Sequence, residues 1–165
     1  MQLRLAAFSM ALILAFAPSV FAGGKKETKV SITFHLQAED TDNPKMIFDQ
    51  LTNGKRLFFK RLPEIGTKDV QSFNPFPSDF GDYGMVVKLK GNAASRFTAL
   101  TNAYQQKWMI SQVNGKVVDG FLIDKEVDDG LIVIWKGLSL VDINMLDEEL
   151  PRIGHEGEKK KKKKK

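Results

Sequence analysis

Residues 85–150 read MVVKLKGNAASRFTALTNAYQQKWMISQVNGKVVDGFLIDKEVDDGLIVIWKGLSLVDINMLDEEL, and this stretch decides the fold class. Met85, Val87 and Leu89 alternate with Val86, Lys88 and Lys90, the period-two signature of a half-buried strand. Asn92 is placed to cap a helix whose inner face is Ala93, Phe97, Leu100 and Tyr104. Lys107 to Val113 and Lys116 to Ile123 flank Asn114-Gly115, a dipeptide suited to the positive φ angles of a tight hairpin turn. Leu131 to Trp135 is an apolar run that reads as a central strand. Ser139 opens a second helix with Asp142 three residues on as its capping-box partner; Leu140, Ile143, Leu146 and Leu150 line its inner face and Pro151 stops it. Strands in runs, with two helices interposed, predict an α+β domain: an antiparallel sheet covered by helices 93–105 and 140–150.

Upstream, Val30, Ile32, Phe34 and Leu36 alternate with Ser31, Thr33, His35 and Gln37, another half-buried strand. Residues 39–44 form a loop. Met46 to Leu51 and Arg56 to Arg61 flank Asn53-Gly54, a second hairpin signal. Residues 63–84, rich in Pro, Gly and aromatics, read as irregular.

The N-terminus carries export signals. Arg4 precedes an apolar run of 13 residues from Leu5 to Ala17, Pro18 breaks it, and Val20-Phe21-Ala22 suits a signal peptidase cutting before Gly23. An uncleaved anchor is the alternative, but 13 residues fall short of the roughly 18–20 that a spanning helix needs. The chain has no Cys, so neither a lipid-modified Cys at the cleavage point nor disulfides enter the account. The expected organisation is a signal peptide over 1–22, one domain over 23–154 and a Lys-rich tail over 155–165. The expected location is the periplasm or the cell exterior.

The formal net charge of +5 misleads about the domain. Residues 23–154 hold 17 basic and 18 acidic side chains, net −1; the excess lies in Lys159 to Lys165. A nucleic-acid partner is not expected, because such folds carry their cations on a structured face. The tail reads as disordered, either a solubilising extension or a tether in which Lys159, Lys160, Lys161, Lys162, Lys163, Lys164 and Lys165 meet anionic lipid headgroups or another polyanion.

No enzyme chemistry is expected. His35 and His155 are the two His residues, one on the polar side of a strand, where a lone His is ordinarily solvated, and one in the tail. Asp124, Glu126 and Asp128 begin like a calcium loop, but Asp129 stands where Gly is needed and Trp135 where a bidentate Glu belongs. A solvated turn fits better. There is no Gly-x-Ser-x-Gly elbow, phosphate loop or dinucleotide fingerprint, so no cofactor is expected. The candidate partner-binding residues are Phe73, Phe76, Phe80 and Tyr83, on a segment stiffened by Pro75 and Pro77. These rings either present rigid apolar contact area or turn inward and plug one end of the sheet.

Residues 56–150 also resemble the head of the first periplasmic domain of SecD, in the SecD/SecF protein-export family. The likeness rests on the proline-led segment 63–70, with Thr67 to Val70 approximating a Thr-x-x-Asp-hydrophobic signature, and on Phe97, Leu100 and Thr101. It continues through Lys107, where Gln106 replaces an expected Gly, the Asn114-Gly115-Lys116-Val117 hairpin, and Gly130, Ile134 and Gly137. The resemblance implies a head-like domain without the family's membrane spans, binding a protein or extended polypeptide. The strand and hairpin within 28–61 have no counterpart in it.

Overall fold

The computed structural model describes residues 30–39 and 41–157. The export signal, the expected boundary at residues 22–23 and Lys159–Lys165 lie outside these residues.

The described chain runs β1 (Ile32–Leu36), β2 (Ile47–Thr52), β3 (Lys55–Lys60), β4 (Ile65–Gly66), β5 (Val70–Pro77), β6 (Tyr83–Leu89), α1 (Gly91–Ala103), β7 (Trp108–Val113), β8 (Lys116–Leu122), β9 (Leu131–Leu138) and α2 (Leu140–Glu149). Every ladder between these strands is antiparallel, so the α+β class holds, but the strands divide among three sheets. One sheet has the order β4-β1-β7-β8, a second is the β2–β3 hairpin, and the third is β5-β6-β9.

Both Asn-Gly turns form as the dipeptides dictate. Asn53 and Gly54 have φ of 48° and 73°, and Asn114 and Gly115 have 52° and 77°, the left-handed pair of a type I′ hairpin. The segment 63–84 departs from its irregular reading: Val70–Pro77 is an eight-residue strand. It tolerates Pro75 and Pro77 because β5 is the outer strand of its sheet, where a missing amide need not break a ladder. The run Leu131–Trp135 is likewise not central; β9 is the other outer strand, and β6 lies in the middle.

The two faces of the four-stranded sheet bury different things. Ile32, Phe34 and Leu36 of β1 and Met109 and Val113 of β7 join Met85, Val87, Ile132, Ile134, Phe97, Ile143 and Leu146 in the main core. The opposite parity, His35 and Ile110, lies outside that cluster yet is also buried. It is covered by the β2–β3 hairpin, which brings Phe59 in beside Phe48, with ring centroids 6.2 Å apart. The Gln37–Phe59 bridge and a 2.8 Å bond from the Ala38 amide to the Phe58 carbonyl hold the hairpin there.

Helix starts show how side chains and backbone share the capping work. Ser139 and Asp142 form the expected capping box, the Asp142 amide donating to the Ser139 hydroxyl at 3.2 Å and the Ser139 amide to Asp142 Oδ2 at 3.0 Å. Burial pushes the Asp142 carboxyl up, but the Ser139 hydroxyl and amide, Asn114 and Lys116 outweigh it and hold it below the ordinary carboxylate range. Leu140, at the first turn, is exposed rather than inward; Ile143 and Leu146 carry the buried face. α1 starts earlier than Asn92, with Lys90 at its cap and no side-chain cap bond. Asp69 ties the helix to the segment before β5, accepting from the Gly66 amide at 2.9 Å and pairing with Arg96 at 3.2 Å.

Candidate functional site

The aromatic segment divides when it folds. Phe73 is wholly buried, with the Arg152 guanidinium 4.7 Å from its ring centre. Its backbone also docks the chain end, accepting from Ile153 and donating to Pro151 at 3.0 and 3.1 Å. A ring so placed offers no surface to a partner. Tyr83 is half-buried against the core. Phe76 is half-buried because its ring lies across the backbone of Gly84, its ladder partner: a Cβ on Gly84 would sit 2.5 Å from that ring. Phe80, at 73 % exposure, projects from the turn between β5 and β6.

That turn is locked by one carboxylate. Asp82 accepts from the Ser78 hydroxyl and, at 2.8 Å, from the Gly137 amide, while the Ser78 amide donates to the Asp82 carbonyl at 3.0 Å. The Ser78 hydroxyl, aided by the amides of Gly137 and Asp82 and the nearby Lys136 ammonium, holds the Asp82 carboxyl below its ordinary range despite some desolvation. The lock brings the turn against β9. Lys136 Nζ lies 4.4 Å from the Phe80 ring centre, and Phe76 meets Trp135 edge-on with centroids 6.1 Å apart.

Trp135 therefore joins Phe76 and Phe80, 62 % exposed at the rim of the sheet. It was not among the residues singled out from sequence, because Leu131–Trp135 is apolar at every position. Ile132 and Ile134 are buried, so the alternate parity, Leu131, Val133 and Trp135, must face out.

A cleft of about 450 Å³ opens beside this rim, lined by Leu51, Thr52 and Asn53 of the hairpin tip and by Trp108, Ile110, Val117 to Gly120 and Lys136. Asp119 links the two features. Its Oδ2 accepts from the Trp135 amide at 2.7 Å and its Oδ1 from the Gly120 amide at 2.9 Å, so a side chain joins β8 to β9 across a gap that no ladder spans. Gly137, at φ 91°, permits the close approach: a Cβ there would be 2.5 Å from the Val118 carbonyl. β8 ends its sheet, and every residue from Val117 to Phe121 is half-exposed along it.

The remaining polar candidates do other work. His35 is not solvated; it is buried under the hairpin, Nδ1 bonded to the Lys60 carbonyl and Nε2 to the Thr33 hydroxyl, each at 2.9 Å. Burial lowers its pKa from the ordinary value, opposed by the Lys60 carbonyl bond. His155 is exposed in the C-terminal segment. In the acidic turn, Val127 tucks against the core and its amide donates to the buried Thr101 hydroxyl at 2.9 Å, while Asp129 accepts from the Leu131 amide. Among the described residues no three His, Asp or Glu side chains converge as a metal site.

No protein-family model and no curated protein matches the chain. Solved structures do, and they define a class: an α+β domain of the kind found within a larger membrane protein. One match, titled "Structure and function of a membrane component SecDF that enhances protein export", has a TM-score of 0.51 at 15 % identity and covers 71 % of this chain and 61 % of that one. Another, "Crystal structure of SecDF in Super-membrane-facing form", has a TM-score of 0.51 at 16 % identity over 71 % of this chain and 18 % of that one. The SecD-like fold that the resemblance implied is thus the fold of this chain. The chain spans less than two-thirds of either matched chain. No described helix is long and apolar enough to cross a membrane.

Proposed function

We propose that this domain is an exported, non-enzymatic module that binds extended polypeptide along β8, with Trp135, Phe80 and Phe76 as its apolar anchors. The observation that carries this reading is the junction at Asp119 and Lys136, which makes an exposed aromatic rim and a cleft beside an edge strand into one continuous surface. Edge strands recruit extended chains by main-chain hydrogen bonding, and adjacent pockets sort the alternate side chains. Aromatic rings held by the Asp82 lock contribute contact area with little ordering cost. The SecDF-like fold supports the same direction, since that component is described as enhancing protein export. A non-enzymatic role is supported by His35, both of whose ring nitrogens are already engaged.

The test is titration with a reduced, carboxymethylated polypeptide that cannot fold. Trp135→Ala and Phe80→Ala should each weaken binding by about tenfold or more, as central aromatic anchors do, without moving the unfolding midpoint. Phe73→Ala should instead lose about 3–5 kcal/mol of stability, as a buried ring does. Full affinity in both anchor variants would overturn the reading.

A further inference from the structure

We propose that the β2–β3 hairpin docks the domain on an anionic lipid bilayer through its outer face, which adjoins the polypeptide cleft at Leu51. Register places Ile47, Asp49 and Leu51 opposite Lys60, Phe58 and Arg56 on the side of the hairpin away from His35. Met46, Leu51, Phe58 and Leu62, between 50 % and 73 % exposed, account for four of the nine large apolar side chains exposed among the described residues. All four fall within 17 consecutive positions. Each has a cation beside it except Phe58: Lys45 precedes Met46, Arg61 precedes Leu62, and Arg56 faces Leu51 across the ladder. Asp49, opposite Phe58, pairs with Arg56 at 3.4 Å.

Charge selects the occupant. Residues 44–62 hold five cations (Lys45, Lys55, Arg56, Lys60, Arg61) against Asp49 alone, net +4. The rest of residues 23–154 then holds 12 basic and 17 acidic side chains, net −5. A domain so divided turns its hairpin toward an anionic plane and its acidic remainder away from it. Apolar side chains interleaved with cations are the chemistry that inserts at a headgroup layer, where buried apolar area and charge attraction add. Lys45 and Lys55 make no ion pair among the described residues, so they meet headgroups without breaking one.

The absence of Cys makes the test direct. Phe58→Cys in the hairpin and Ser95→Cys on the exposed side of α1 each give one labelling site for an environment-sensitive fluorophore on the full chain. With vesicles of phosphatidylglycerol and phosphatidylcholine in equal parts, the label at position 58 should shift to the blue and that at 95 stay unchanged. Vesicles of phosphatidylcholine alone should move neither. Lys45→Gln combined with Lys55→Gln should weaken the response at 58 roughly 25-fold at low salt, about fivefold per cation. Recruitment through residues 1–22 or the Lys tail alone leaves both labels in water and overturns the proposal. So does a label at 58 that is already shielded before lipid is added, whether by another part of the chain, a second copy or a bound polypeptide.

Discussion

Gln106 sits at φ 67°, a left-handed backbone angle that costs a residue with a Cβ about 1–2 kcal/mol. It is held there by a 2.7 Å bond from its amide to the Ile123 carbonyl, where the chain leaves α1 for β7. Gly was expected at this position, and Gly adopts such an angle without strain. Gln106→Gly should therefore raise stability by about 0.5–1 kcal/mol in urea unfolding, the relief being partly offset by the extra freedom of Gly in the unfolded chain. His35 gives a second residue-scale expectation. Because burial lowers its pKa in the fold, the unfolded chain takes up the proton first as pH falls below 6.5. Its contribution to stability is intact above that value and erodes as pH drops toward the lowered one. The melting temperature should fall between pH 7.5 and pH 5.5, a window above the range where carboxylates titrate, and fall less in His35→Gln. An equal fall in both proteins would contradict the assignment.

Among the elements, legibility from sequence followed the range of the interactions. The Asn53-Gly54 and Asn114-Gly115 hairpins and the Ser139–Asp142 cap were readable because each is decided within a few residues. β5 was not, because Pro75 and Pro77 argue against a strand unless its place at a sheet edge is known. The burial of His35 was hidden for the same reason: only the packing of a distant hairpin converts that polar face into an interior. Of the four aromatic candidates, Phe80 alone is strongly exposed, and Trp135, which meets Phe76, lay in a run whose density of apolar residues masked its alternation. The contact between Phe76 and Gly84 can be tested within one ladder. In Gly84→Ala the new Cβ would lie 2.5 Å from the Phe76 ring and 2.6 Å from the Ile134 carbonyl, and the backbone atom cannot yield cheaply. A loss of about 1–3 kcal/mol in denaturant unfolding is expected, as for other overpacked sites. Wild-type stability would show that Phe76 is not seated there.

The whole molecule separates its tasks by sheet face and by charge. The main core unites all but one side of the four-stranded sheet with the β5-β6-β9 sheet and both helices, and the cationic hairpin lies over the side left out. The cleft forms where that hairpin reaches β8, so the hairpin helps to build the proposed binding surface. Both Trp residues report on it, Trp108 in the cleft lining and Trp135 on the rim. The decisive measurement is a titration of the ¹⁵N-labelled protein with the reduced, carboxymethylated polypeptide, followed by NMR. Binding along β8 predicts that both indole N–H signals move along one saturating curve, together with the amides of Val117 to Gly120 and Lys136. Indole signals that stay fixed at saturating polypeptide, or changes confined to the outer face of the β2–β3 hairpin, would contradict it.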